Sequence, residues 1–249
     1  MSVMLNLSKH RFLGLPAVKP RVWIDLSSAA SKRTGLAMHS PGRKVLKLAV
    51  EALGRFAWLP IEKIIRGPIK RFEELDGHEV IEKVVGEPIE YLTLYMGNDS
   101  TKSKLTVMVR LRDEDNGKRD EIAKLGRTPE AAGAIRNEVA ILKRLEDTEL
   151  RTQVPVVIGN IGHDGMWTWS VQSVLPKGKT PVRLQKEHQE FLEELKRIGI
   201  SHGDFAPWNC SIVGGRLYVW DWEDAGPWID GKDEAWFKNQ VKKLLGIDA

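Results

Sequence analysis

The chain has 249 residues, of which 42% are hydrophobic and 29% charged. That balance excludes a disordered or collagen-like polymer and supplies enough apolar material for a sizeable core. The lone cysteine, Cys210, rules out an internal disulfide, and no Cys/His run has zinc-ligand spacing. No uncharged apolar run approaches the roughly 20 residues of a membrane span, and the start of the chain lacks a signal-type apolar block, so a cytoplasmic protein is expected.

The formal charge of +4 conceals an asymmetry. Residues 1–70 hold 13 Lys/Arg against three acids, a net of +10, whereas the other 179 residues hold 25 against 31, a net of −6. This split predicts a basic N-terminal segment that faces an anionic membrane, a polyanion or an acidic substrate, or else a solvated basic face without a partner.

In chain order, residues 1–39 read as irregular, with Pro16 and Pro20 and few periodic apolar positions. Ser40-Pro41 has the form of an N-cap with proline in the first turn. From Lys44 to Leu59 a wide apolar stripe predicts a helix with Arg43, Lys44, Lys47 and Arg55 on its basic side, stopped by Pro60. Such a helix lies on a membrane surface or, more often, packs its stripe on its own domain. Past Pro88 the period becomes strand-like. Tyr91–Met96 is a strand, Gly97–Lys104 a polar turn, Leu105–Leu111 an alternating strand, Asp115-Asn116-Gly117 a hairpin signal and Glu121–Leu125 the return strand. Thr128-Pro129-Glu130 opens a helix to about Leu145. Val154–Ile158 and Trp167–Val174 read as two strands, Gln185–Arg197 as a helix, and Asp233–Leu245 as a final short helix. The expected organisation is a basic, largely helical extension over residues 1–88, a sheet-containing lobe over 89–178 and a reduced lobe over 179–249. The fold class is α+β, with a mainly antiparallel sheet.

The most informative stretch is 201–226. Asp204 sits in the loop Ser201-His202-Gly203-Asp204-Phe205-Ala206-Pro207-Trp208-Asn209, where side chains turn outward. Cys210–Val213 and Arg216–Trp220 form two short strands about Gly214-Gly215, a two-residue hairpin turn. Antiparallel pairing about that turn sets Asn209 opposite Trp220 and Trp208 opposite Asp221, so Asn209 and Asp221 become neighbours. An amide oxygen and a carboxylate are hard donors suited to Mg²⁺, with Asp204 beside them placed to accept a proton. His202 reads as a bracing group, Cys210 as a small buried residue, and Trp222, Trp228 and Trp236 as packing.

His202-Gly203-Asp204, Asn209 five residues later, and Asp221-Trp222-Glu223-Asp224-Ala225-Gly226 together resemble the aminoglycoside phosphotransferase and choline kinase-like family, relatives of the protein kinases. The resemblance covers roughly residues 90–249 and implies a two-lobed kinase-like fold that uses ATP and Mg²⁺. It implies that Asp204 orients or deprotonates an acceptor hydroxyl and that Asn209 and Asp221 bind the metal. By position Lys124 corresponds to the lysine that neutralises nucleotide phosphates, and Glu138, fourteen residues on, to the acid that pairs with it. Ile122 shares the face of Lys124 and would line an adenine slot. Gly97, Ser100 and their neighbours occupy the place of the phosphate-covering loop, although with one glycine rather than several. Gln172–Pro176 would be the hinge.

Two departures from the family pattern matter. Only 28 residues follow Asp221, where the family usually carries several acceptor-binding helices, and residues 1–88 have no counterpart in the shared core. The resemblance therefore implies phosphoryl transfer to a hydroxyl of a small molecule, such as a sugar or glycolipid, without naming it. A small atypical protein kinase stays open as an alternative. So does a nucleotide-binding pseudokinase or adaptor with a basic partner-binding segment. A peripheral contact with an anionic membrane through residues 1–70 is expected ahead of nucleic acid.

Overall fold

The computed structural model describes residues 7, 10–16, 19–38, 53–84, 89–97, 102, 104–113 and 117–246. It is an α+β structure that divides into two compact units. One comprises the described residues of Met1–Ala132 with Gly162–Val171, and the other Gly133–Ile161 with Gln172–Ala249. Among the described residues no helix is long and apolar enough to cross a membrane.

The first unit opens with strands β1 (Arg11–Leu15) and β2 (Val22–Asp25), followed by helix α1 (Ala29–Met38). After a one-turn helix, α2 (Ile61–Ile64), come β3 (Ile69–Arg71), α3 (His78–Val84), β4 (Ile89–Met96), β5 (Lys104–Asp113) and β6 (Gly117–Gly126). Helix α4 (Pro129–Leu145) carries the chain into the second unit, and the pair β7 (Val157–Asp164) and β8 (Trp167–Ser173) straddles the division. These eight strands form one sheet in the order β3-β1-β2-β4-β5-β6-β8-β7. From β3 through β6 every pairing is antiparallel.

Sequence pattern explains the central strands directly. In β5, Leu105, Val107, Val109 and Leu111 are buried while Thr106, Met108 and Arg110 are only partly covered, the period of two that a sheet with one core face requires. The β5–β6 register sets Arg110 opposite Asp120, and their side chains form a two-pronged ion pair at 2.5 Å, with Arg110 lying 5.0 Å from the Tyr91 ring centre. The same register puts Lys124 opposite Thr106 and Ile122 opposite Met108, so Lys124 and Ile122 share one face.

The N-terminal segment differs from the sequence-based expectation. Arg11–Leu15 and Val22–Asp25 are not irregular: they form β1 and β2, and β2 pairs with β4 through Val22–Tyr95, Trp23–Leu94 and Ile24–Thr93. A boundary at residue 88 therefore cuts through one sheet, and the segment before it is strand as well as helix. The reason is length. β1 and β2 are four or five residues long and buried almost throughout, so they show no alternation to read. The expected helix start at Ser40-Pro41 and most of the Lys44–Leu59 helix lie outside the described residues. Residues 53–55 are helical, and Pro60 precedes α2.

The second unit is built around a core of Leu142, Leu145, Phe191, Leu195, Phe205, Val219, Trp222 and Phe237. Each such fully buried side chain contributes roughly 1.5–3 kcal/mol. Helix α5 (Lys186–Ile198) buries His188, Phe191 and Leu195 on one side and ends at Gly199, whose left-handed φ of 74° closes the last turn onto the carbonyls of Leu195 and Lys196. The chain then passes through β9 (Ile200–Ser201), β10 (Cys210–Val213), β11 (Arg216–Val219), β12 (Gly226–Pro227) and α6 (Lys232–Leu245). β10 pairs with β11, and β9 with β12. Gly214 and Gly215 both have positive φ, as the expected two-residue hairpin needs. The expected strand Val154–Ile158 is displaced: β7 begins at Val157 and runs to Asp164. It lies at the edge of the sheet with no fully buried side chain, so burial imposes no apolar pattern on it.

Candidate active site

The loop between β9 and β10 is shaped by backbone requirements before any side chain acts. Gly203 has φ 86°, and a Cβ there would collide with the carbonyl of Asp224, so only glycine fits. Both amides that lead into Asp204 are tied to one carboxylate. His202 N–H donates to Asp233 Oδ2 at 2.7 Å and Gly203 N–H to Asp233 Oδ1 at 3.0 Å. Asp233 is buried in the first turn of α6, where the helix N-terminus also favours a negative charge.

His202 is fully buried against Trp222, with ring centres 4.5 Å apart. Its Nδ1 accepts from the Asp204 N–H at 3.3 Å, so Nε2 carries the proton and donates to the Trp220 carbonyl at 3.1 Å. Burial lowers the His202 pKa, against the pull of Asp233, Asp221 and Asp204, and keeps the ring neutral. His202 braces the loop, as its sequence context implies.

Asp204 is half-buried and held at both oxygens. Oδ1 accepts from the Trp236 indole N–H at 2.6 Å, and Oδ2 from the Asn209 amide at 3.0 Å. The same amide nitrogen donates to the Asp204 carbonyl at 3.0 Å, leaving the amide oxygen of Asn209 as its acceptor end. Burial raises the Asp204 pKa from its ordinary value and Asp221 adds to the rise, while Trp236, His202 and Asn209 oppose it.

The expected hairpin register holds. Cys210 pairs with Val219, and Trp220 N–H donates to the Asn209 carbonyl at 3.1 Å, which brings Asp221 next to Asn209 along the ladder. Asp221 has φ 69°, the one positive φ at a non-glycine residue among those described, a conformation that costs about 1–2 kcal/mol. The segment after it is clamped by two consecutive residues of α4. Glu138 Oε1 accepts the Trp222 N–H at 3.1 Å, and Asn137 donates to the carbonyls of Glu223 and Ala225, both at 2.9 Å.

The second unit thus brings together Asp204, Asn209, Asp221 and Glu138. Lys124 belongs to the first unit, nearly buried on β6. Glu138, whose Oε1 holds the backbone N–H of Trp222, lies in the second unit. Gly97 follows β4, its N–H bonded to Lys104 O at 3.0 Å, and Ser100 lies outside the described residues. Cys210 is buried, which pushes its thiol pKa well up and leaves it unreactive.

Three site residues escaped the sequence reading. Trp236, expected to pack, is 40% exposed and bonds Asp204 instead. Asp233 and Asn137 look in the sequence like ordinary polar residues of a helix. Asp233 carries a faint signal, a carboxylate in a first helical turn two residues after a glycine.

Among the described residues no three His, Cys, Asp or Glu side chains gather into a metal cage. Asn209 and Asp221 offer one amide oxygen and one carboxylate, which fits an ion such as Mg²⁺ that takes its remaining oxygens from water and phosphate.

No family model and no curated protein matches the chain. Among solved structures it is similar to the kinase domain of PF14_0431, at 13% identity and a TM-score of 0.38, over 55% of this chain and 52% of that one. It is also similar to WbdD, solved with the kinase inhibitor LY294002, at 16% identity and a TM-score of 0.40, over 64% of this chain and 36% of that one. The chain spans about half the length of the first and about a third of the second. At these low TM-scores the likeness carries no argument about activity.

Proposed function

We propose that the chain is a kinase-like phosphotransferase that moves the γ-phosphoryl group of ATP to a hydroxyl of a small molecule, a sugar or sugar-bearing lipid. The observation that supports this most strongly is the fixed trio in the second unit. A carboxylate held at both oxygens, Asp204, shares one amide with Asn209, and Asn209 is joined by the hairpin register to the strained Asp221. In this reading Asp204 takes or orients the acceptor hydroxyl proton, and its raised pKa suits a group that must accept that proton and release it again. Asn209 and Asp221 would hold Mg²⁺, which supplies charge neutralisation for the transferring phosphoryl group when bound. Lys124 would neutralise the other phosphates. Most of the rate would come from positioning and preorganised charge.

Paired variants test the assignment. Asp204→Ala should abolish transfer while leaving Mg-nucleotide binding, followed by titration of a fluorescent ATP analogue, within about threefold of wild type. Asp221→Ala should weaken that binding by about tenfold or more. Wild-type transfer by both variants sinks the site assignment.

A further inference from the structure

The segment from Leu53 to Arg66 is pinned from within the first unit. Ala57 and Ile61 are fully buried and Leu53 packs on the cluster formed with Leu36 and Ile61. Two side chains of α1 also hold its backbone: Lys32 Nζ donates to the Leu59 carbonyl and Arg33 Nε to the Gly54 carbonyl, each at 3.3 Å. A segment anchored this firmly nevertheless turns its largest apolar side chains outward. Trp58 is 70% exposed, Ile64 54% and Phe56 52%. Arg55, Lys63 and Arg66 are exposed among them.

We propose that this surface is a docking site for an anionic lipid bilayer, with Phe56, Trp58 and Ile64 entering the boundary between headgroups and acyl chains and Arg55, Lys63 and Arg66 meeting the lipid phosphates. Indole and phenyl rings settle at that depth, and the flanking cations gain from the negative surface. Charge complementarity selects the occupant. The exposed charges of this face are the cations Arg55, Lys63 and Arg66, within a segment of net +10, so two copies of the face repel one another, whereas an acidic membrane attracts each of them. Exposed Ile64 and Phe56 gain by leaving water for acyl chains, a gain that a phosphate-only polyanion does not offer.

The inference is independent of phosphoryl transfer, because it is read without nucleotide. The full chain is sedimented with vesicles of phosphatidylcholine alone and of phosphatidylcholine with phosphatidylglycerol, across a salt series. Wild type should bind the anionic vesicles preferentially and lose affinity as salt rises. Arg55→Gln/Lys63→Gln/Arg66→Gln should weaken anionic-vesicle binding about a hundredfold and flatten its salt dependence. Phe56→Ser/Trp58→Ser should weaken binding at every salt concentration, and circular dichroism confirms folding, since both side chains face outward. Equal wild-type binding to neutral and anionic vesicles, no binding to either, or folded variants that bind like wild type overturn the proposal. A dimer in sedimentation equilibrium that Trp58→Ser dissolves also overturns it, assigning the face to a second copy.

Discussion

Asp204 sets the behaviour of the candidate site because each of its oxygens has a different partner. The Trp236 N–H bond favours the ionised carboxylate, against the burial that raises its pKa. Trp236→Phe removes the donor and keeps the ring. If Asp204 must be ionised to accept a proton, the acid limb of the rate–pH profile moves to higher pH in this variant; a limb that stays in place separates Trp236 from the chemistry. At Gly203 the constraint is steric. Gly203→Ala combines a left-handed φ with a collision against Asp224 O and should destabilise the chain by about 2–4 kcal/mol, measured by urea denaturation. The closeness of Asn209 and Asp221 was legible in the sequence because their spacing about the Gly214-Gly215 turn encodes the hairpin register. Trp236 was not, because its partner lies 32 residues away and an indole gives the same sequence signal whether it packs or donates.

Elements carry the positioning. Helix α6 sends Asp233 back to two loop amides, so Asp233→Ala leaves two donors without an acceptor and should cost about 2–5 kcal/mol in stability by denaturation. Asp233→Asn keeps one acceptor oxygen and should recover part of that loss. Helix α4 works similarly on the segment after Asp221. Its amphipathic pattern and its start at Pro129 were readable, whereas its use of the adjacent Asn137 and Glu138 as a backbone clamp was not, since backbone partners leave no mark in side-chain periodicity. The alternating strand β5 was legible for the converse reason: one buried face writes a period of two into the sequence. The buried β1 and β2 and the edge strand β7 have no such contrast.

At the scale of the molecule, each unit has its own core, and His188 contributes to the acid response of the second. His188 is buried beside Phe205 and Phe237, and burial lowers its pKa to about 4. The folded form therefore binds its proton less readily than the unfolded chain, whose histidine titrates near the ordinary value of about 6.5. Stability from this group is complete above that value and falls as pH drops toward about 4, by about 3 kcal/mol in all. His188→Gln should flatten that part of the stability–pH curve in thermal denaturation followed by circular dichroism. The charge asymmetry between residues 1–70 and the rest was legible from composition alone, but the pairing of β1 and β2 into the sheet was not, because partners such as Trp23 and Leu94 are far apart in sequence. The most direct test of the account is transfer of a radiolabelled γ-phosphate from ATP to a panel of sugars, sugar-bearing lipids, proteins and water. The account predicts Mg²⁺-dependent label on a small-molecule hydroxyl, lost in Asp204→Asn; label on protein alone, or none on any acceptor from folded wild type, contradicts it.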